Sequence, residues 1–231
     1  MKNNLENLSF SGLNKNKQYI QNINNCINLI KSKDLKILDI GCGDALILDF
    51  LIKKKKIYYT GIDISKQNIL NATRNKNKKN FVLDNYIKKK FNKKFDMIIS
   101  YSSLNVISNF NVLIDKMSLE IKKKGLIVIC VPYSCLRTHL YVYLRFVINF
   151  LSKIGFLALI SFIYTKLFQL KYSNNQIKDR LIYMTMTPKF LWNTKNKKLA
   201  KNKNFKIYLE EKECPEIIGK LSHKIIILQK I

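Results

Sequence analysis

The sequence predicts an open, doubly wound α/β domain on a mostly parallel, seven-stranded sheet whose last strand is antiparallel. Three observations carry this. Short apolar runs alternate with helical periods from residue 19 to residue 132. The first run, "KILDI", leads straight into "GCGDA", where two close glycines allow a strand to turn sharply. The chain closes on two strands joined by a loop too short for a crossover helix, so that pair is antiparallel.

The elements follow in order. Residues 1–16 are polar and rich in Asn and Lys, and read as a poorly ordered start without the apolar stretch of a secretory signal. Tyr19, Ile20, Ile23, Ile27 and Ile30 recur at helical spacing. Strands are expected over 36–40, 58–64, 81–84, 95–101 and 125–132, with helices over 45–54, from Ser65 to about residue 75, and over 110–122. Ser65 has the side chain of an N-cap, and Pro132 stops the fifth strand. Such alternation implies right-handed crossovers and a sheet covered on both faces.

The pattern breaks at residue 133. The insert 133–186 is very apolar between Leu136 and Leu170. Regular architecture resumes with Thr187 as an expected cap and Pro188 at the first position of a helix. Strands over 205–211 and 223–230 close the chain around a loop with Pro215 and Gly219. Residues 1–132 and 187–231 therefore form one domain, interrupted by the helical insert, and no internal repeat is visible.

Composition narrows the function classes. With 231 residues and 47% hydrophobic content, the chain can build a full core. Its five cysteines (Cys26, Cys42, Cys130, Cys135, Cys214) form no CxxC pair. A disulfide scaffold and a structural zinc site are therefore not expected, and a reducing cytoplasm fits. No metal is expected in the site. Lys and Arg number 42 against 15 acidic residues, a net charge of +27. Only Arg74, Arg137, Arg145 and Arg180 are arginines, so the charge lacks the planar, bidentate donors of specific nucleic-acid recognition. Lys, Asn and Ile together are what AT-rich codon usage produces. Lysine still raises affinity for an anionic membrane surface.

Three strand ends carry polar groups suited to one adenosine-containing ligand. Gly41 and Gly43 follow the first strand and let the backbone approach a ligand closely. Asp63 ends the second strand, where an acid commonly holds both ribose hydroxyls. Asp84 and Asn85 end the third and can bond an adenine edge. The third position of a dinucleotide fingerprint is Leu46, no Gly-Lys-Ser/Thr follows, and Asp44 would repel a pyrophosphate. A non-anionic cofactor fits better, such as S-adenosylmethionine with its sulfonium and amine.

"ILDIGCGDA", "YTGIDIS", "NFVLDN", "KFDMIISYSSLNVI" and "IKKKGLIVICVP" resemble, in order and spacing, the successive motifs of class I S-adenosylmethionine-dependent methyltransferases. The resemblance covers about 18–132 and again 187–229. It implies a Rossmann-like fold and S-adenosyl-L-methionine as cofactor. Residue by residue it places Asp39, Gly41 and Gly43 around the methionine part of the cofactor, and Asp63 at the ribose. It places Asp84 and Asn85 at the adenine, and Ser100 and Tyr101 under the sulfonium. Cys42 and Ile64 complete the cofactor-binding set. Two departures are Ala45, where the family often has a third glycine, and the Lys-rich "IKKKG", where it often has Pro-Gly.

Methyl transfer asks mainly for in-line placement and sometimes for a base. His139 is the one histidine expected near the acceptor, and it is the candidate base, set against a plain surface role on the insert. Tyr133 and Arg137 are candidate acceptor contacts by position. "SYSSL" stands where DNA amino-methyltransferases usually carry Asp/Asn-Pro-Pro-Tyr/Phe, and no Pro-Cys nucleophile for cytosine is present. Small-molecule or lipid-linked acceptors therefore come ahead of nucleic acid. The insert reads as two helices meeting near residues 153–155. Arg145, Asn149 and Ser152 share one face of the first; Ser161, Thr165 and Gln169 share one face of the second. Such helices pack as a lid or dip into one leaflet. The membrane-contacting lid is the preferred reading, with the protein at the inner face of the membrane. Ubiquinone-biosynthesis O-methyltransferases resemble this plan in layout. The leading expectation is methyl transfer to a hydroxyl or similar nucleophile of a small-molecule or lipid-linked acceptor. The alternatives are a non-catalytic, methyltransferase-like binding protein and an RNA methyltransferase that uses its lysines on the backbone.

Overall fold

The structure is a computed structural model and describes residues 16–76, 80–153, 186–213 and 221–231. Helix α1 (Lys17–Leu29) precedes strand β1 (Asp34–Ile40). Then come β2 (Lys56–Asp63), α2 (Lys66–Asn75), β3 (Asn80–Leu83), β4 (Phe95–Tyr101), α3 (Leu104–Ile107), α4 (Phe110–Glu120) and β5 (Ile121–Pro132). The insert opens with α5 (Leu136–Lys153). After it come α6 (Thr194–Asn202), β6 (Phe205–Lys212) and β7 (His223–Lys230).

The seven strands form one sheet in the order β3-β2-β1-β4-β5-β7-β6. β1 pairs in parallel with both β2 and β4, while β7 runs antiparallel between β5 and β6. Strand order reverses between β1 and β4. In open sheets of this kind the crevice beyond the strands' carboxyl ends at that reversal is where ligands bind.

Alternation along the central strands divides the core between two faces. Ile37, Met97, Ile99 and Val128 pack on one side with Tyr19, Ile23 and Ile27 of α1. Leu38, Ile40, Ile98 and Ile127 pack on the other with Phe110, Leu113 and Met117 of α4. Four of the described helices start where a polar side chain accepts an end N–H. Asn16, Ser65, Asn109 and Asn193 do so for α1, α2, α4 and α6.

Three expectations need correction. The helix expected over 45–54 is a single 3-10 turn, Leu46–Asp49. Here α1 overrides local propensity: Asn24 Nδ2 donates to the Phe50 carbonyl (3.0 Å), and the Ile52 N–H donates to Asn24 Oδ1 (3.1 Å). Those backbone groups are thereby taken away from a helical ladder. The helix expected from Pro188 starts instead at Thr194. The Trp192 N–H donates to the Pro132 carbonyl (2.8 Å) and its own carbonyl accepts from Ser134 (3.0 Å), which holds this stretch extended beside the end of β5. The fifth strand begins at Ile121 rather than at 125, directly after α4. The one-turn helix α3 is additional to the expected elements.

In the insert, Arg145 of α5 is buried and its Nη1 donates to the Met186 carbonyl (3.0 Å), which ties the helix to the point where the chain returns. The expected second helix, with Ser161, Thr165 and Gln169, lies outside the described residues, as do Cys214 and the loop with Pro215 and Gly219.

The Asn24 tether generates a stability prediction. Asn24→Ala removes two hydrogen bonds, each contributing roughly 0.5–1.5 kcal/mol. Thermal unfolding should therefore show a melting point lower by about 2–4 °C for each kcal/mol lost, as in chains of this size. An unchanged melting point would mean that the turn holds itself.

Candidate functional site

The turn after β1 has three residues of positive φ: Gly41 (+71°), Gly43 (+56°) and Ala45 (+57°). It is shaped from outside. The N–H groups of Gly41 and Cys42 both donate to the Ile62 carbonyl (2.8 and 3.2 Å), and the Ala45 N–H donates to the Cys42 carbonyl (2.9 Å). The Gly43 N–H donates to Asp63 Oδ2 (2.9 Å), and the Ser65 N–H to Asp63 Oδ1 (2.8 Å). One carboxylate at the end of β2 thus fixes both the first turn and the start of α2.

The opposite wall comes from β4. The hydroxyls of Ser100 and Ser103 both donate to the Ile40 carbonyl, each at 2.8 Å, and lie 2.8 Å from one another. The contact is close enough to require glycine at 41, because a Cβ there would meet Ser103 Oγ at 2.3 Å.

The turn concentrates acid, with Asp39 buried and Asp44 and Asp63 half-buried. Asp39 is buried, accepts a hydrogen bond from Tyr59 Oη (2.5 Å), and has its carboxyl pushed up to about 7. Burial is the main cause and the charge of Asp63 adds to it, against the Tyr59 hydrogen bond. Burial also raises Asp63, opposed by the N–H groups of Ser65 and Gly43, and it raises Asp44. The Cys42 thiol is pushed up by burial and then by Asp39 and Asp63. Among the described residues, none of these three carboxyls forms an ion pair. A turn of this charge disfavours an anion and suits a group that brings positive charge.

The structure brings Asp39, Gly41, Cys42, Gly43, Asp63 and Ser100 together at the β1/β4 reversal. Ile64 is 37% exposed beside them. Asp84 and Asn85 stand at the neighbouring strand end, with the Asp84 N–H donating to the Asp63 carbonyl (3.1 Å). Asn85 is exposed and its Oδ1 accepts from the Ile87 N–H (2.9 Å). Tyr101 ends β4; its Oη donates to Glu213 Oε1 (2.6 Å) and its ring stands 5.0 Å from that of Tyr19. His139 is exposed on the first turn of α5, with Nε2 2.9 Å from Ser134 Oγ, a hydroxyl of the insert itself. Arg137 stacks over the Tyr141 ring (5.7 Å) and Tyr133 lies beneath Lys224 (4.9 Å).

One reading of the sequence is corrected here: His139 is not the one histidine on this side. His223 opens β7 in register with Pro132, the last residue of β5. It is buried, with Nε2 2.9 Å from Ser102 Oγ and Nδ1 3.8 Å from Glu213 Oε2. The signal was the antiparallel final pair itself: an antiparallel strand begins where its parallel neighbours end. Glu213, just past β6, arrives at the same edge for the same reason.

The sequence profile of a family described as "Methyltransferase domain" matches residues 31–183. A ubiquinone biosynthesis O-methyltransferase of Pelagibacter ubique is 29% identical over 113 residues, which is 47% of this chain and 47% of that protein. The match thus spans about half the length of that curated relative. A magnesium protoporphyrin IX methyltransferase from Synechocystis PCC 6803, solved with bound SAH, superposes with a TM-score of 0.58 at 11% identity, covering 93% of this chain and 83% of that one. An N-methyltransferase from Bradyrhizobium japonicum WM9, in complex with S-adenosyl-l-homocysteine, gives a TM-score of 0.59 at 10% identity, with coverage of 94% and 90%. At such identities the structural likeness is one of fold.

The raised Asp39 makes stability depend on pH. Its folded-state value lies above the unfolded one, so the folded chain holds the extra proton. The resulting stability is present below the unfolded value of 3.8 and is lost as pH rises to about 7. The loss is at most about 1.4 kcal/mol for each pH unit in that window. Asp39→Asn cannot ionise, so its melting point should gain on wild type steadily between pH 5 and pH 7. A constant difference across that range would show that Asp39 is ionised throughout.

Proposed function

The chain belongs to the methyltransferase domain family, and on that premise we propose that it transfers the methyl group of S-adenosylmethionine to a hydroxyl of a small acceptor. The observation that carries this is the glycine turn locked to the half-buried Asp63, with the buried Asp39 beside it and both carboxyls raised in pKa. A sulfonium and an amine would supply the positive charge this turn lacks. Asp63, held by the N–H groups of Gly43 and Ser65 with further donors from Ile64 and the Asn68 side chain, would accept from the ribose hydroxyls. Asp84 and Asn85 would meet the adenine, while Ser100 and Tyr101 would flank the reacting end. Solved relatives of the fold hold the demethylated cofactor. Transfer to oxygen is favoured by the relative whose name specifies an O-methyltransferase.

The acceptor we favour is lipid-linked, met at an anionic membrane surface. Support comes from α5, where Leu136, Leu140, Tyr143, Phe146 and Phe150 are all exposed on one broad helical face. Among the described residues no helix is long and apolar enough to cross a membrane. Contact along the flank of α5 is what this face allows. Lys166 and Lys171, which would lie near headgroups in this reading, fall outside the described residues.

Two outcomes are expected. In calorimetry the protein should bind S-adenosylmethionine and its demethylated product. Asp63→Ala should weaken both about tenfold to a hundredfold, since charge-assisted bonds of roughly 1.5–3 kcal/mol disappear. Absence of heat with wild type would sink the cofactor assignment. In cosedimentation with phosphatidylglycerol vesicles, wild type should pellet at low salt and be released only in part at high salt. Replacing Leu140, Phe146 and Phe150 with Ser should leave the protein in the supernatant without changing cofactor affinity. Wild type remaining in the supernatant at low salt would remove the case for a membrane-held acceptor.

A further inference from the structure

We propose that Ser102 and His223 carry away the acceptor's proton during methyl transfer, with Glu213 holding the imidazole; this rests on the hydroxyl-methylation reading above. A neutral hydroxyl is a weak nucleophile, so its proton must leave as the new bond forms. The carboxyls of the glycine turn are engaged elsewhere, Asp39 by Tyr59, Asp63 by the N–H groups of Gly43 and Ser65, and Asp44 by its own N–H and that of Leu46.

Ser102 directly follows β4 and stands at φ +58°, uncommon for a residue with a side chain. Its N–H is held by the Cys130 carbonyl of β5 (2.9 Å). From there its hydroxyl lies 2.9 Å from His223 Nε2. The other ring nitrogen, Nδ1, lies 2.6 Å from the Leu221 carbonyl. A carbonyl can only accept, so Nδ1 carries the proton of the neutral ring and Nε2 offers its lone pair to the Ser102 hydroxyl. The Glu213 carboxylate is 3.8 Å from Nδ1, close enough to stabilise an imidazolium. Its placement is fixed by a backbone bond from the Glu213 N–H to the His223 carbonyl (3.0 Å) and by donors from Tyr101 and Asn16. His223 and Glu213 are buried whereas Ser102 is partly exposed, so the serine is the member that reaches an acceptor.

The step balances. The acceptor oxygen attacks the methyl carbon and the carbon–sulfur bond breaks with its electron pair on sulfur. The acceptor proton moves to Ser102 Oγ as the proton of Ser102 moves to His223 Nε2. The products are a methyl ether, a neutral thioether, an unchanged serine and an imidazolium beside Glu213. The imidazolium returns its proton through Ser102 to water once the product has left. Ser102 is the group that touches the acceptor; His223 acts through it.

The test uses the full chain with two probe acceptors, catechol and 4-nitrocatechol, at a pH where the nitro compound is already ionised. The variants are His223→Gln and Ser102→Gly. Glycine suits the positive φ, so that variant loses only the hydroxyl. On catechol, each variant should lower kcat about a hundredfold or more, with affinity for S-adenosylmethionine unchanged within about twofold by calorimetry. On 4-nitrocatechol the deficit should shrink at least about tenfold, because no proton remains to be taken. Equal losses on both probes, or variants as fast as wild type on catechol, would overturn the relay and leave the hydroxyl reading intact. A wild type that binds the cofactor but methylates neither probe would overturn the hydroxyl reading and the relay together. Should His223→Gln fail to fold, Ser102→Gly decides alone.

Discussion

The carboxylate of Asp63 is the constraint on which the rest of the site depends. The segment after β1 makes only short i to i+3 bonds of its own, and the shape of its glycine turn is set by what β2 offers. Asp63 receives the N–H of Gly43 on one oxygen and that of Ser65 on the other, while the Ile62 carbonyl takes the N–H groups of Gly41 and Cys42. Burying such a group is unfavourable, and its raised pKa is the sign of that. The backbone dipoles aimed at it offset much of the cost and, in return, gain an anchor that loops seldom have. The ordinary helix of this position is absent, so the rigidity a helix would provide comes from this carboxylate and from the Ser100–Ser103 pair on the Ile40 carbonyl.

Most of the architecture was legible because the decisive signals are local. β4 and β7 begin and end where their apolar runs do, and Asn and Ser residues ahead of the helices serve as caps. The strand-end acids were legible for the same reason, since a carboxyl at the end of a parallel strand can face only one edge of the sheet. The failures have a common physical origin. "ALILDFLIKK" has helical composition, yet Asn24 from α1 captures its backbone. "TPKFLW" carries a start signal, yet β5 recruits Trp192 as a short parallel partner. His223 stands 121 positions from Ser102, and only the sheet pairing brings the two together. Each of these depends on a partner distant in sequence, which periodicity does not encode.

The sheet divides the labour of the site between its halves. β1, β2 and β3 supply the glycine turn and the acids. The ends of β4 and β5 and the antiparallel pair β6–β7 supply a cluster of Ser102, Tyr101, Glu213 and His223. β4 belongs to both, because Ser100 points to the Ile40 carbonyl while Tyr101 turns to Glu213. The reaction proposed above needs donor and acceptor on either side of one strand end, and this is where the two sets of side chains meet.

The strand order has a further consequence for the way this protein is made. β7 occupies the slot between β5 and β6, so β6 has no neighbour in the sheet until β7 has been synthesised. During translation the ribosome releases β5 with one open edge and β6 with nothing to pair to, and apolar residues such as Ile129 and Phe205 wait for Ile226 and Leu228. The half of the sheet that carries the glycine turn can assemble early, whereas the edge that carries Glu213 and His223 closes only when the eight residues of β7 insert. A nascent chain can therefore form its glycine turn before its serine–histidine contact, and a stall upstream of β7 leaves exposed strand edges for chaperones to cover.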